Sequence, residues 1–398
     1  MKTLYLFNRD LRVQDNKALE LASIDKYLVC AVALKNTDKW GEAKKQFYFE
    51  CLNDLSINLD KHGKKLYVVE KSEDLLEFDK VILTKNYNSK EIPFLDDFKN
   101  EIVEVEQSTL FSLSELPFDV QNLKKTFTPF RHQMDKVKKI PAEPVSIHKL
   151  PSGFENSLKA YVAKEYSKST KFSGGETAGL ERLHYYFSKP DLALNYFETR
   201  NGMIEFDDST KFSPWLAWGC ISANQIFFEL KRFENKHRSN KSTYWIFFEL
   251  LWRDYFKFLS LKFGDKIFDV KGTAGRELVF STNQETLFKK WTNADTEEEF
   301  VNANMNELNL TGFMSNRGRQ NVASYLTKTY EVNWLWGAEY FENNLIDADL
   351  ESNQGNWAYQ AGVGVDPRDR KFNIPKQQSM YDPDLEYTKK YSPKSVCP

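Results

Sequence analysis

The stretch Tyr244–Phe263 reads YWIFFELLWRDYFKFLSLKF and sets Glu249, Trp252, Arg253 and Phe256 at i, i+3, i+4 and i+7. That spacing puts all four on one face of a helix. A carboxylate and a guanidinium are thereby enclosed by aromatic rings. Holding a charge there is costly unless it has a partner. The pattern suits either an i,i+4 ion pair on a buried helix or polar groups aimed at a ligand.

Three further segments carry polar groups at suggestive spacing. In Thr311–Tyr325 (TGFMSNRGRQNVASY), Gly312 and Gly318 frame a run that reads as a loop opening a helix and presenting Asn316, Arg317 and Arg319. An amide beside two guanidiniums suits phosphate or carboxylate recognition, and a helix start with solvated charges would look the same. In Leu345–Gly364 (LIDADLESNQGNWAYQAGVG), Asp347 and Asp349 stand two apart and Asn353 follows. All five histidines (His62, His132, His148, His184, His237) precede residue 240, so the carboxylate pair reads as hydrogen-bond acceptors and no metal is expected. In Ser209–Ser222 (STKFSPWLAWGCIS), Ser209, Thr210 and Ser213 surround Lys211 just ahead of helical spacing. Hydroxyls and free backbone N–H groups there would make an anion site or an ordinary cap. No GxSxG, GxxxxGK[ST] or GxGxxG is present. The set fits a large, planar, phosphate-bearing cofactor that carries the chemistry itself.

The elements that must position these groups fall into two kinds. Residues 4–7, 27–34, 66–69, 81–84 and 102–105 are short apolar runs. Helical spacing separates them, notably over 41–62 through Phe47, Cys51, Leu55 and Leu59. Strands alternating with helices predict a parallel, doubly wound α/β sheet of Rossmann-like type over residues 1–115. Pro117, Pro129, Pro141, Pro144 and Pro151 punctuate a connector over 116–156, with a short helix near 130–138. From 157 to 398 the pattern turns helical, with helices expected over 224–233, 244–263, 298–308 and 322–330.

Composition narrows the classes. Aromatic residues make up 15% of the 398 residues, enough to build flat stacking surfaces. Net charge is −2, so any contact with nucleic acid must come from a local basic patch. Cys30, Cys51, Cys220 and Cys397 are scattered without CxxC spacing, which argues against a zinc site or disulfide framework and suits a reducing, cytoplasmic setting. No apolar run is long enough to span a bilayer, so no membrane partner is expected.

In their order and spacing the four segments resemble the photolyase/cryptochrome family, and the opening LFNRDLRVQDNKAL is similar to its first strand and loop. TGFMSNRGRQ, GNWAYQAGVGVDPRDRKFN and TPFR resemble its cryptochrome DASH branch. The resemblance implies a helical FAD-binding domain. Thr210, Lys211, Phe212 and Ser213 would hold the pyrophosphate, with Tyr196 and Arg253 nearby. Asp347 would pair with Arg319 beside the flavin ring, Asp349 would accept from that ring, and Asn353 would face its N5. It also implies light-driven repair of cyclobutane pyrimidine dimers by electron transfer from reduced FAD. Glu249 and Asn316 would hydrogen-bond the dimer, and Trp252 would stack on it.

Gln320 and Tyr359 occur at positions that make the pocket polar, as in the DASH branch, implying a preference for dimers in single-stranded DNA. Arg317 and Gln377 would touch the DNA backbone. The implied antenna is 5,10-methenyltetrahydrofolate, with Glu91 as its acidic contact, and the implied state is a monomer. The alternative within the family is a blue-light photoreceptor, or a flavin-binding DNA-binding regulator, that repairs little. Without histidines after His237, repair of 6-4 photoproducts is not expected.

Two departures stand out. Over Thr296–Asn306 (TEEEFVNANMN), in a loop the family holds near the flavin, Glu297 and Glu299 replace Gly and Pro, while Asn302 and Asn306 replace Asp and Arg. The family's electron-transfer tryptophans fall on Trp357 and Trp334, but the outermost falls on Phe280, or on Ser281 if the gap shifts. Phenylalanine is far harder to oxidise. The route then ends early, giving slow photoreduction, or diverts through Trp336 or a tyrosine.

Overall fold

The computed structural model describes residues 1–88, 92–166, 171–365 and 370–392. Six strands, Lys2–Phe7 (β1), Tyr27–Ala33 (β2), Leu66–Val69 (β3), Lys80–Thr84 (β4), Glu101–Val105 (β5) and Lys159–Ala160 (β6), form one sheet. Their order is β5-β4-β1-β2-β3-β6. The first five are parallel, and β6 adds antiparallel to β3 at the edge.

Side chains alternate between the two faces. Tyr5 and Phe7 join Cys30 and Val32 on one face, packed with Phe47, Leu52 and Leu55 of the Glu42–Asp60 helix. Leu4 and Leu6 join Val29, Ala31, Val81 and Leu83 on the other. Burial on both faces is why these strands read as continuous apolar runs.

The rest of the described chain is mainly helical. The Lys241–Phe263 helix starts on Asn240, whose side chain accepts from the Thr243 N–H at 2.9 Å. Its Tyr255 and Phe258 continue the sheet-side core into the helical layer together with Trp215 and Trp218. A second core gathers Trp291, Phe300, Trp334, Phe341 and Trp357. No helix among the described residues is long and apolar enough to cross a membrane.

One element differs from expectation in a way that matters for the site. The helix expected over 322–330 begins earlier, as Asn316–Ser324, and runs into a π-helical turn over Tyr325–Thr329. Ser315 caps it, accepting from the Gly318 N–H at 3.0 Å. Asn316, Arg317 and Arg319 therefore stand on the first turns of a helix rather than on a loop. Gly318 is small for packing, since a Cβ there would lie 2.0 Å from Asn304 Oδ1.

The two layers are clamped by a buried carboxylate. Asp254 of the Lys241–Phe263 helix accepts the Leu110 N–H at 3.0 Å and the Phe111 N–H at 2.9 Å. Burial pushes its pKa up from 3.8 to about 6, against the pull of those two N–H groups. The folded state thus holds this proton more tightly than the unfolded chain, and its stabilising share falls as pH rises through that window. An amide can accept only one of the two N–H bonds, so Asp254→Asn should cost about 1–3 kcal/mol. The cost should narrow between pH 4 and 6 and level off above, a window set by the shift from 3.8 to about 6. Urea unfolding of both proteins across that range checks it; a cost that grows with pH contradicts the account.

Candidate active site in the helical layer

The four polar segments converge on one cavity of about 790 Å³, a size in the usual range of cofactor sites, roughly 300–1,000 Å³. Glu249, Trp252, Arg253 and Phe256 line it from one helix, as their spacing requires. Asn316, Arg319 and Gln320 line it from a second, and Asn353, Trp357 and Tyr359 from the Leu350–Ala361 helix. Tyr196, Thr210, Lys211, Phe212, Ser213, Asp347 and Asp349 complete the predicted set in its wall.

Two carboxylates organise the polar side. Asp347 Oδ2 accepts from Ser213 Oγ at 2.6 Å and pairs with Arg319 Nη2 at 2.8 Å. Its Oδ1 is buried with no hydrogen-bond partner among the described residues. Asp349 caps the Leu350–Ala361 helix, accepting from the Ser352 N–H at 3.0 Å. Its Oδ2 lies 3.1 Å from Lys257 Nζ and 3.9 Å from Arg253 Nε. Burial works to raise the Asp349 pKa, but Lys257 and Arg253 hold it well below the usual carboxylate range. Burial likewise opposes charge on Lys257, and Asp349 and Glu351 raise it above the usual lysine value. Asn353 donates from Nδ2 to Ala338 O at 2.8 Å and to Glu342 Oε2 at 3.4 Å, which leaves its carbonyl oxygen to serve a ligand. Lys211 sits at φ +56°, a conformation that costs a non-glycine residue about 1 kcal/mol or more. Burial, with Lys171 as a second cause, lowers its pKa to about 8. A lysine so depressed is poised to take an anionic partner.

The other side is aromatic. Glu249 Oε1 lies 3.2 Å from Arg200 Nη1. Enclosure raises the Glu249 pKa while Arg200 opposes the rise. Its side chain is nonetheless 38% open, because it borders the cavity space. Trp252 stacks on Phe127 with centroids 3.7 Å apart and planes 8° off parallel, so one of its ring faces is already covered.

Other expected residues lie elsewhere. Arg317 is outside the cavity wall, where it donates to Gln320 Oε1 at 2.9 Å and Asn201 Oδ1 at 3.2 Å and lies over the Tyr381 ring at 4.5 Å. Gln377, on the Ile374–Tyr381 helix, keeps a buried Oε1 without a partner among the described residues. Trp334 is fully buried behind the wall and donates to Val270 O at 2.9 Å. Phe280 is half-buried and lines no part of the cavity. Glu91 lies outside the described residues.

The altered 296–306 segment does not line the cavity. It closes on itself instead. Asn302 accepts from the Thr296 N–H at 2.8 Å and Oγ1 at 2.7 Å, and donates to Thr296 O at 2.8 Å. Asn306 donates to Tyr391 O at 2.9 Å. Glu297 binds Tyr325, Tyr330 and Lys290 through its carboxylate.

Sequence reasoning missed Arg200 and Lys257. Lys257 was within reach, because it extends the 249, 252, 253, 256 face by one more step. Arg200 had no signal beyond standing four residues after Tyr196.

Residues 3–149 match the DNA photolyase family, and residues 245–396 match the FAD binding domain of DNA photolyase. A solved structure of a Synechocystis cryptochrome superposes with a TM-score of 0.91 at 37% identity, covering 98% of this chain and 88% of that one. A class III photolyase from Agrobacterium tumefaciens shares the fold with a TM-score of 0.81 at 24% identity, covering 98% of this chain and 86% of the other. This chain belongs to the photolyase/cryptochrome family. Its relatives there include cryptochromes DASH. That of Synechocystis is 40% identical over 98% of this chain and 87% of its own length. A chloroplastic/mitochondrial one from Arabidopsis thaliana is 40% identical over 97% of this chain and 74% of its own.

The residues present fit an FAD. The cavity has the volume, Asp347 Oδ1 is a buried polar atom without a hydrogen-bond partner among the described residues, and Lys211 stands ready for an anion. When bound, that cofactor supplies light absorption and one-electron transfer. Ser213, Arg319 and Asp347 would hold its polar edge, while Lys257 fixes Asp349 and Ala338 fixes Asn353.

Proposed function

We propose that this chain repairs cyclobutane pyrimidine dimers by light-driven electron transfer from reduced FAD, preferring single-stranded DNA. One observation carries the reading. The cavity that holds the flavin-binding set also holds Glu249, Trp252, Asn316 and Gln320, which such a cofactor does not use and which suit a second, flat, carbonyl-bearing ligand. Glu249 is the group best placed to stabilise charge on that ligand. Burial raises its pKa while Arg200 opposes the rise, its carboxyl borders the open cavity, and Arg200 would be freed toward the DNA phosphates when the dimer displaces it. A dimer already outside a duplex costs least to bring into the cavity. A bound folate antenna belongs to the same proposal.

The test is loss of dimers from irradiated oligo-dT by the reduced, illuminated protein, in single and paired strands. Glu249→Ala should slow the loss about 10²-fold while leaving flavin uptake intact, the scale expected for removing one group aimed at developing charge. A flavin-loaded protein that leaves dimers untouched supports the photoreceptor reading, which the phenylalanine at position 280 favours.

A further inference from the structure

We infer that charge leaves the cavity by a second aromatic route, from Trp357 through Trp291 to Tyr340, with Tyr340 as the terminal electron donor. The inference rests on the reading that a photo-oxidising flavin occupies the cavity. Electron tunnelling decays exponentially with the gap between donor and acceptor, so rings in contact set the path. Trp357 lines the cavity. Behind it, Trp291 is fully buried and its ring centroid is 6.1 Å from that of Trp357. A hydrogen bond from Trp291 Nε1 to Val322 O at 3.0 Å fixes the ring. On its far side Tyr340 lies 5.6 Å away, centroid to centroid, at 67°. Tyr340 is only half-buried and donates its phenolic proton to Asn309 Oδ1 at 2.6 Å, a bond exposed to solvent.

The competing exits are poorer. Trp334 makes no ring contact with another aromatic side chain among the described residues, and the next position of that route holds Phe280. A hole placed on Trp334 is stranded there. Among the described residues Trp336 is reached from Trp291 across Phe288, at 5.9 and 5.6 Å, and that ring cannot itself be oxidised under these conditions. The slow photoreduction expected from Phe280 alone would hold only if charge had to leave through Trp334.

Tyr340 loses one electron, which passes through Trp291 and Trp357 to the photoexcited oxidised flavin as acceptor. Its phenolic proton goes to solvent water, since the amide oxygen of Asn309 is not a base. The neutral tyrosyl radical then takes a hydrogen atom from an added thiol, leaving a thiyl radical, and two such radicals from two turnovers combine to one disulfide. Burial raises the Tyr340 pKa, so the phenol still carries its proton at neutral pH.

The experiment uses the full chain loaded with oxidised FAD and excess thiol, followed by time-resolved absorption and electron paramagnetic resonance after a flash. The wild type should show a tyrosyl radical whose formation slows in D2O. Tyr340→Phe should abolish that signal, leave a tryptophan radical, and slow steady photoreduction by about tenfold, one decade of rate. Trp291→Phe should do the same; Tyr340→Phe removes only one half-exposed hydroxyl and keeps the test alive if the buried change fails to fold. Trp334→Phe should leave the tyrosyl signal in place. A tyrosyl signal that survives Tyr340→Phe, or vanishes in Trp334→Phe, overturns the inference with the functional reading intact. A protein that takes up no flavin overturns both.

Discussion

Replacing Lys257 with methionine should destabilise the protein by about 3–5 kcal/mol at neutral pH, because it leaves buried Glu351 without its ammonium partner and Asp349 with only the more distant Arg253. Lys257 Nζ lies 3.1 Å from Asp349 Oδ2 and 2.9 Å from Glu351 Oε2, and all three side chains are close to fully buried. Glu351 in turn accepts from Asn88 in the N-terminal layer, so the cluster ties that layer to the cavity wall. The sign with pH follows from the shifts. The depressed Asp349 pKa contributes stability above its ordinary 3.8, lost as pH falls through the folded value. The raised Lys257 pKa contributes stability below 10.5, lost as pH rises through its folded value. Between those limits Asp349 and Lys257 are both charged and paired in the wild type.

In Lys257→Met the charge on Asp349 loses its nearer cation, and protonating Asp349 relieves that loss. The penalty should therefore be largest at neutral pH and shrink in mild acid. Adding Glu351→Gln should restore part of the loss. Asp349 would also be freed to swing from the cavity wall, so the variant should purify with less flavin, read from the ratio of visible to near-ultraviolet absorbance. Equal urea midpoints for wild type and variant at neutral pH would sink the cluster as a stabilising element.

What the sequence made legible divides by range. The sheet could be read because Tyr27–Ala33 and its neighbours are continuous apolar runs, and burial on both faces demands that pattern. Glu249 through Phe256 could be placed on one wall because helix periodicity alone decides it. The β6 strand could not be read, since Lys159–Ala160 is too short for any alternation to show. The Trp334–Asn344 and Leu350–Ala361 helices were obscured by Gly337, Asn343, Asn344, Gly355 and Asn356, all weak helix formers. Packing overrides that weakness, as helix stability in proteins comes mostly from tertiary burial. The SNRGR run misled for the same reason: its glycine reads as a turn but serves a close approach to Asn304.

Partners far apart in the chain were invisible in principle. Nothing local connects Arg200 with Glu249, or Trp291 with Trp357. The substitutions over 296–306 look damaging one at a time. In the folded chain Asn302 and Asn306 supply hydrogen bonds of their own, so the segment is repacked rather than broken.

The seam between the layers offers the second large effect, at Gly219. This residue ends the Ser213–Trp218 helix with φ +67°. A Cβ there would fall 2.0 Å from Arg9 O and 2.6 Å from Asp10 Cα, both main-chain atoms that no rotamer change can move. The surrounding bonds are what hold the seam: the Leu11 N–H donates to Trp218 O at 3.0 Å and Arg12 Nη1 to Gly219 O at 2.9 Å. Arg9 lies over the Trp218 ring at 4.4 Å and donates to Ala348 O at 3.0 Å, between Asp347 and Asp349. Gly219→Ala should therefore cost the left-handed backbone penalty of about 1 kcal/mol or more and, on top of it, the energy of prising this seam apart.

Gly63 supplies the matched control. It has φ +68°, and nothing among the described residues lies within 4 Å of its would-be Cβ. Gly63→Ala carries the backbone penalty without the collision, so the difference in unfolding free energy between the two variants isolates the steric part. That difference should exceed about 2 kcal/mol, the scale of an overpacked site that cannot relax. Because the displaced strip carries Asp347 and Asp349, Gly219→Ala should also lose flavin and Gly63→Ala should not. Equal stability and equal flavin content in the two variants would mean that the layers yield freely at Gly219, and that the cavity wall does not depend on how they are joined.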